Sequence, residues 1–182
     1  MTTSKRGFTL IEMIVSLGIF AFVVTVVAGA YLNLVNIDRE TRGTNNLVNN
    51  LSFAVDSMSR DIRTGTNYQC GGYGGANCAV SPSSTFTFVD SSGNQVTYLL
   101  NNGEIGECTG TVGSGCTASS ATYFTDPGIT VSSLAFYVSG VGTTDTQQPI
   151  VTFSINGTIS ASPTDTVSFT TETTATERGI DI

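Results

Sequence analysis

Glu12 is the residue whose chemistry most needs explaining. From Met13 to Ile37 no charge appears and most side chains are apolar. A lone carboxylate bordering such a segment costs a few kcal/mol in lipid unless it is paired. The bond between Gly7 and Phe8 offers a partner. A cut there would leave a cationic amine on Phe8, one helical turn from Glu12 and able to meet the Glu12 of a neighbouring copy. In low dielectric that attraction is strong and depends on position, so it can set the axial register of packed helices.

Cysteine supplies the second chemistry. Cys70, Cys78, Cys108 and Cys116 fall into two pairs with seven residues between partners, each in Gly-rich surroundings. An even count in a domain that would be exported reads as disulfides, and four cysteines allow three connectivities. Local pairing, Cys70–Cys78 and Cys108–Cys116, is the preferred reading because short loops find their partners locally; crossed pairing stays open. Zinc fits poorly, because the chain has no His and no C-x2-C spacing. No metal site and no cofactor are expected.

Catalytic chemistry has little to work with. Without His, the commonest general base and the usual Ser–His or Cys–His pairs are missing. No G-x-S-x-G turn occurs; Gly113-Ser114-Gly115 is a loop inside the second Cys pair. Glu104 and Glu107 could form a carboxylate pair, yet two acids beside a turn read better as solvated surface. Asp90 and Asp126 near turns hint at calcium, but no D-x-D-x-D-G loop is present. Asn156-Gly157-Thr158 matches a glycosylation sequon and is read as a turn. The chain is therefore not expected to be an enzyme.

The elements that would position Glu12 and the cysteines follow from pattern. Bilayers need about 20 apolar residues in a helix, and the segment after Glu12 is long enough to span. Lys5 and Arg6 precede it, while Asp38, Arg39, Glu40 and Arg42 after it cancel. That bias keeps the N-terminus cytoplasmic and sends the rest outward. A plain anchor and a Sec-type signal peptide compete with this reading. Ala28-Gly29-Ala30 is an A-x-A-like site that would start the mature protein at Tyr31. Neither alternative has a use for Glu12. Small residues Gly18, Ala21, Ala28, Gly29 and Ala30 would let neighbouring helices approach closely.

At Lys5-Arg6-Gly7, followed by Phe8-Thr9-Leu10-Ile11-Glu12 and the long apolar run, the sequence resembles the type IV pilin and type II secretion pseudopilin family. The resemblance implies that Gly7 precedes a prepilin peptidase cut, that Phe8 becomes the N-methylated first residue, and that Glu12 is needed for assembly. It also implies the partners: other pilins or pseudopilins, prepilin peptidase and an inner-membrane assembly platform. One departure is Gly29, where many pilins carry a mid-helix proline. Ser57-Met58-Ser59-Arg60-Asp61-Ile62-Arg63, the Phe86–Glu104 hairpin and a strand over Ile129–Val138 resemble the J-type minor pseudopilins, which implies a place at or near a filament tip.

The rest of the chain fits an α+β architecture of pilin type. Leu47, Leu51, Val55, Met58 and Ile62 form one apolar stripe. Asp38/Arg42 and Asp56/Arg60 are i,i+4 pairs on the same helix. Thr64-Gly65-Thr66-Asn67 reads as its stop, and Gly43-Thr44-Asn45-Asn46 as a bend or interruption. A helix from about residue 9 to 64 would be roughly 80 Å long. Beyond it, Cys70-Gly71-Gly72-Tyr73-Gly74-Gly75 is a flexible loop without the context of a phosphate-binding turn. Alternation at Phe86/Phe88, Val96/Tyr98/Leu100, Leu134/Phe136/Val138, Val151/Phe153/Ile155 and Val167/Phe169 predicts strands of a small antiparallel sheet with one face covered by the amphipathic helix. Ser91-Ser92-Gly93-Asn94 and Asn101-Asn102-Gly103 should turn two hairpins.

The expected organisation is a leader over 1–7, a transmembrane and assembly helix over 8–37, an amphipathic helix over 38–64 and a β-rich domain over 65–182. A net charge of −7, with Arg178 the one cation after residue 63, removes the electrostatic basis for gripping nucleic acid. A β-rich adhesin or binding module on a signal peptide or plain anchor is the alternative from another class.

Overall fold

Four apolar residues recurring every three or four positions after Leu47 can bury one helix face only if something flat lies against it. The computed structural model supplies that surface. It describes residues 7–72, 74, 77–141, 147–162 and 165–178, with the backbone alone at 161, 162 and 165. Lys5 and Arg6, and Tyr73 and Gly75 of the glycine-rich loop, lie outside the described residues. One helix, α1, runs Leu10–Thr64, and the chain divides into two units after Arg42.

In the first unit α1 presents large apolar side chains from Leu10 to Ile37 that remain exposed. Near its end Arg42 Nε donates to Asp38 Oδ2 at 2.8 Å, an exposed i,i+4 pair worth a few tenths of a kcal/mol. Asp56 and Arg60, expected to pair in the same way, form no ion pair among the described residues, although both line one groove with Arg63 and Arg178. The Gly43–Asn46 patch does not interrupt the helix. Leu47, buried directly after it, ties the next turns into the core, and such packing overrides weak propensity.

In the second unit the sequence reading of one small sheet gives way to two. The first has five strands in the order β1 (Thr66–Cys70), β2 (Thr85–Val89), β3 (Gln95–Asn101), β4 (Glu104–Gly110) and β5 (Thr122–Tyr123). The second has three, β6 (Ile129–Ser139), β7 (Ile150–Ser162) and β8 (Asp165–Thr176). All pairings are antiparallel. An aromatic string crosses between them: Phe86 lies 5.6 Å from Phe88 and 5.2 Å from Phe136, which in turn lies 5.9 Å from Phe153. Such pairs add about 1 kcal/mol each beyond their burial.

The end of α1 is fastened by the tips of two buried tyrosines. Tyr68 OH donates to Ile62 O, and Tyr98 OH donates to Asp61 Oδ2 at 3.1 Å. Burial first, and the Asp61 and Glu107 charges second, push the Tyr98 phenol well above its usual range, so it stays a neutral donor. Gly65 ends the helix for a different reason than conformational freedom. A Cβ there would stand 2.3 Å from the Phe88 ring, so only glycine lets the chain pass into β1 against that ring.

One-sided burial does not hold in the first sheet. Gln69, Thr87, Gln95 and Thr97 are buried on the side away from Phe86 and Phe88. Two loops closed by disulfides lie over them. Cys70–Cys78 closes the first, and Gln69 Oε1 accepts from Gly74 N. Cys108–Cys116 closes the second; Gln95 Oε1 accepts from Gly113 N at 2.7 Å, and Gln95 Nε2 donates to Ser114 O at 2.8 Å. Loop backbone thus satisfies both buried glutamine amides, which would otherwise cost about 1–3 kcal/mol per unpaired group.

The Ser91–Asn94 and Asn101–Gly103 turns form as expected, but Asn156-Gly157-Thr158 is no turn. It lies in mid-strand on β7, opposite Thr170, Phe169 and Ser168 of β8. Alanine at 157 would place a Cβ 2.4 Å from Thr130 O and 2.9 Å from the Phe169 ring. Gly157→Ala should therefore cost about 3 kcal/mol in urea unfolding. Gly115→Ala, where a Cβ meets nothing within 4 Å, should be near neutral.

Asp90 shapes the first hairpin by accepting from Ser92 N and Asn94 N, each at 2.8 Å. The Asn94 backbone N–H, against some opposing desolvation, holds its carboxyl below the usual range, helped by the Asn94 amide and Ser92 N–H. Its folded value is depressed, so this contribution is full above the ordinary Asp value of about 4 and fades as pH falls through the lower folded value. The stability difference between the native chain and Asp90→Asn in urea should shrink from pH 5 downward.

Candidate functional site

The N-terminal segment is built around a helix start. α1 begins at Leu10, so Thr9 is its N-cap and Glu12 its third residue. Thr9 Oγ1 accepts from Glu12 N at 3.3 Å, while Glu12 Oε2 accepts from Thr9 Oγ1 at 3.3 Å and from Thr9 N at 3.4 Å. Met13 N donates to Thr9 O at 3.3 Å, the first turn of the ladder. This is a reciprocal capping box, which satisfies helix-end donors from both sides. The reading of the sequence missed it, although Thr-x-x-Glu ahead of an apolar run is its signature.

The cap has a consequence for Gly7–Phe8. Residues 7–9 are outside the helix, and both Gly7 and Phe8 are exposed, Phe8 at 81%. Thr9, as the cap, keeps this bond out of the helical hydrogen-bond ladder. Glu12 is likewise exposed, and its bonds to Thr9 are long compared with the usual 2.9–3.0 Å. The carboxylate is held loosely and can exchange that partner for a charged one.

Beyond Glu12 the helix is suited to an apolar medium. Its most apolar 18-residue window has a mean hydropathy of 2.6 and no buried residue. The hydroxyls within it turn inward, Ser16 Oγ donating to Met13 O at 3.0 Å and Thr25 Oγ1 to Ala21 O at 2.8 Å. That arrangement leaves no hydroxyl proton seeking water. At Gly18 and Gly29 an added Cβ would meet nothing within 4 Å, so bare backbone is open to a neighbour there.

The other candidate residues take structural positions. Glu104 and Glu107 are three apart on β4 and so point to opposite faces of the sheet; Glu107 Oε1 accepts from Thr109 Oγ1 at 3.0 Å. Asp126 Oδ1 accepts from Gly128 N at 2.9 Å, and Asp90 holds its hairpin. No group of three or more His, Cys, Asp or Glu that could hold a metal ion occurs among the described residues. Cys70, Cys78, Cys108 and Cys116 are joined in local pairs, with Cα atoms 6.0 and 5.8 Å apart.

Residues 2–28 match the family model of the prokaryotic N-terminal methylation motif. No curated protein and no solved structure matches the chain. The motif defines a class of proteins that prepilin peptidase processes and that assemble with one another. Over this segment the chain carries the motif that marks the type IV pilin and pseudopilin family. The apolar helix and the motif together fit anchoring in the inner membrane and an extracellular filament.

Replacing the cap tests the geometry directly. Thr9→Ala should cost about 1 kcal/mol in the first turn, while Thr9→Ser keeps the oxygen and most of the stability. Amide exchange at Glu12 and Met13 in detergent micelles should quicken about fivefold in the alanine variant and little in the serine one.

Proposed function

We propose that the chain is a structural subunit, a minor pilin or pseudopilin, of a type IV pilus-like or type II secretion filament. It inserts with Lys5 and Arg6 on the cytoplasmic side and is cut between Gly7 and Phe8. The new Phe8 amine is methylated, and the helix leaves the membrane to pack against its neighbours. Lateral packing of the apolar surface drives assembly, and pairing of Glu12 with the Phe8 amine of an adjacent subunit aligns it. The β-rich part remains outside. Losing Lys5 and Arg6 takes the net charge from −7 to −9, which makes the exported surface acidic. The chain performs no catalysis in this scheme.

The single observation that carries this reading is the placement of a capped Glu12 beside an exposed, non-helical Gly7–Phe8 bond and ahead of a bare apolar helix. A transmembrane anchor or a secretory signal would require the apolar run alone. The globular part, with two sheets and two disulfide-closed loops, supports a minor rather than a minimal subunit.

The mature N-terminus decides between readings. Mass spectrometry of the exported protein should find methylated Phe8 first; Tyr31 would make it a secreted binding module, and an uncut leader a plain anchor. Glu12→Ala should leave processing and the β-rich fold intact and reduce recovery in sheared filaments by about tenfold or more, as expected for losing a pairing of a few kcal/mol. Normal recovery would remove the pairing role.

A further inference from the structure

Among the described residues the outer edge of β8 has no main-chain partner. Its geometry can be read from one hydrogen bond. Glu177 N donates to Pro149 O at 3.1 Å, and this pair continues the register that sets Thr176 opposite Ile150. In an antiparallel ladder bonded and non-bonded pairs alternate. Odd-numbered residues of β8 therefore turn their N–H and C=O toward β7. Thr166, Ser168, Thr170, Glu172, Thr174 and Thr176 turn theirs to the open side, and all six are exposed. The series ends at Arg178, whose N–H donates to Arg63 O at 3.0 Å.

Natural edges of this length are blunted by Lys, Pro, bulges or a covering segment. β8 has 12 residues with no Lys, Arg or Pro and one mid-strand charge, Glu172, and its register irregularity lies only at the Ser160/Ser162 end. On the core side of the same rim Val167 is 48% exposed and Phe169 half-buried, so apolar surface is also unfinished there.

Beside the closed end lies a groove of about 790 Å³ lined by Arg60, Arg63 and Arg178 together with Asp56 and Glu177, among others. These three arginines are all the cations of residues 43–182, against 11 carboxylates. Three cations against the carboxylates of Asp56 and Glu177 leave this end of a bare strand edge net positive, which favours a further carboxylate there.

We propose that β8 accepts a strand from a neighbouring, non-identical filament subunit. An extended segment pairs main chain to main chain along Thr166–Thr176 and sets an acidic residue against Arg60, Arg63 and Arg178. The source of the strand rests on the filament reading above. Main-chain pairing supplies affinity, and the arginine end supplies direction and choice of partner. Antiparallel pairing of β8 with its own copy is excluded as the working contact, because its twofold axis would point the sheet-packed part of α1 in opposite directions in the two copies. Subunits anchored in one membrane by the same segment point the same way.

The test uses the full chain in cells that make the rest of the filament. A photo-crosslinking residue at Ser168 or Thr170 should join it to a different protein, with linked peptides mapping to an extended segment containing Asp or Glu. Thr174→Pro removes one open-side N–H and leaves the β7 ladder intact, so it should abolish the cross-link with little change in thermal midpoint. Arg63→Glu with Arg178→Glu, which leaves β8 untouched, should lower cross-link yield about tenfold. Cross-links only between copies, unchanged yield in both variants, or none in assembled filaments would each overturn the inference. In that last case, methylated Phe8 on filament-borne protein would leave the filament reading standing; a different mature N-terminus would overturn the filament reading itself.

Discussion

A helix that leaves its apolar surface bare over one stretch and buries it over the next is the constraint on which this chain is organised. From Leu10 to Ile37 the large side chains have no partner within their own unit, and apolar area left in water costs roughly 25 cal/mol per Å². That surface is stable only in lipid or against like helices. From Leu47 to Ile62 the same element is a cover, with Met58 and Ile62 fully buried over the sheets. A single element is thus committed to two surroundings. Within the N-terminal stretch the inward-bonded hydroxyls suit an apolar medium, and Gly18 and Gly29 leave backbone open to a neighbour.

Glu12 works within that constraint. Its carboxylate closes the capping box with Thr9, so it is not a naked charge at the edge of an apolar run. The same bonds are long and solvent-exposed, and an ammonium group at close range competes with them on favourable terms. One residue can therefore define where the helix starts and still be available to a neighbour. The cap also explains why the bond before Phe8 is accessible while the bonds after Leu10 are protected by the ladder.

The β-rich part solves a separate problem, the stability of a small domain with few charges and much Ser, Thr and Gly. Its core is an aromatic string shared by two sheets, and its far face is finished by loops instead of by a second layer of helices. Each loop is pinned twice, by a disulfide and by a buried glutamine that satisfies the loop backbone. Such bonds suit an oxidising, extracytoplasmic setting. Every buried side-chain nitrogen and oxygen among the described residues finds a partner. The exposed strand edge of β8 contrasts with this thorough finishing.

Much of this was legible in the chain itself. The uncharged run after Glu12, the four-four-three-four stripe from Leu47 to Ile62 and the alternating pairs from Phe86 to Phe169 reflect local periodicities of 3.6 and 2, and these survive folding because each element must present one apolar face. The capping box was equally local and readable at Thr9 and Glu12, but a carboxylate beside an apolar run drew attention to its distant partner instead of its near one. Gly157 was misread because its reason is not local, and Gly65, rightly taken as the helix stop, ends α1 for a reason that is not local either. A ring from another strand fills the space over each, and nothing in the neighbouring residues announces it. The same holds for Gln69 and Gln95, whose burial looks wrong until loops from elsewhere arrive to use their amides. Sequence determined the long helix, its stop, the two tight turns and the strands whose residues alternate, because those choices follow from each residue's own backbone and its nearest neighbours. Tertiary structure alone decided that the strands divide into two sheets and which edge stays open, because those outcomes depend on contacts between residues far apart in the chain.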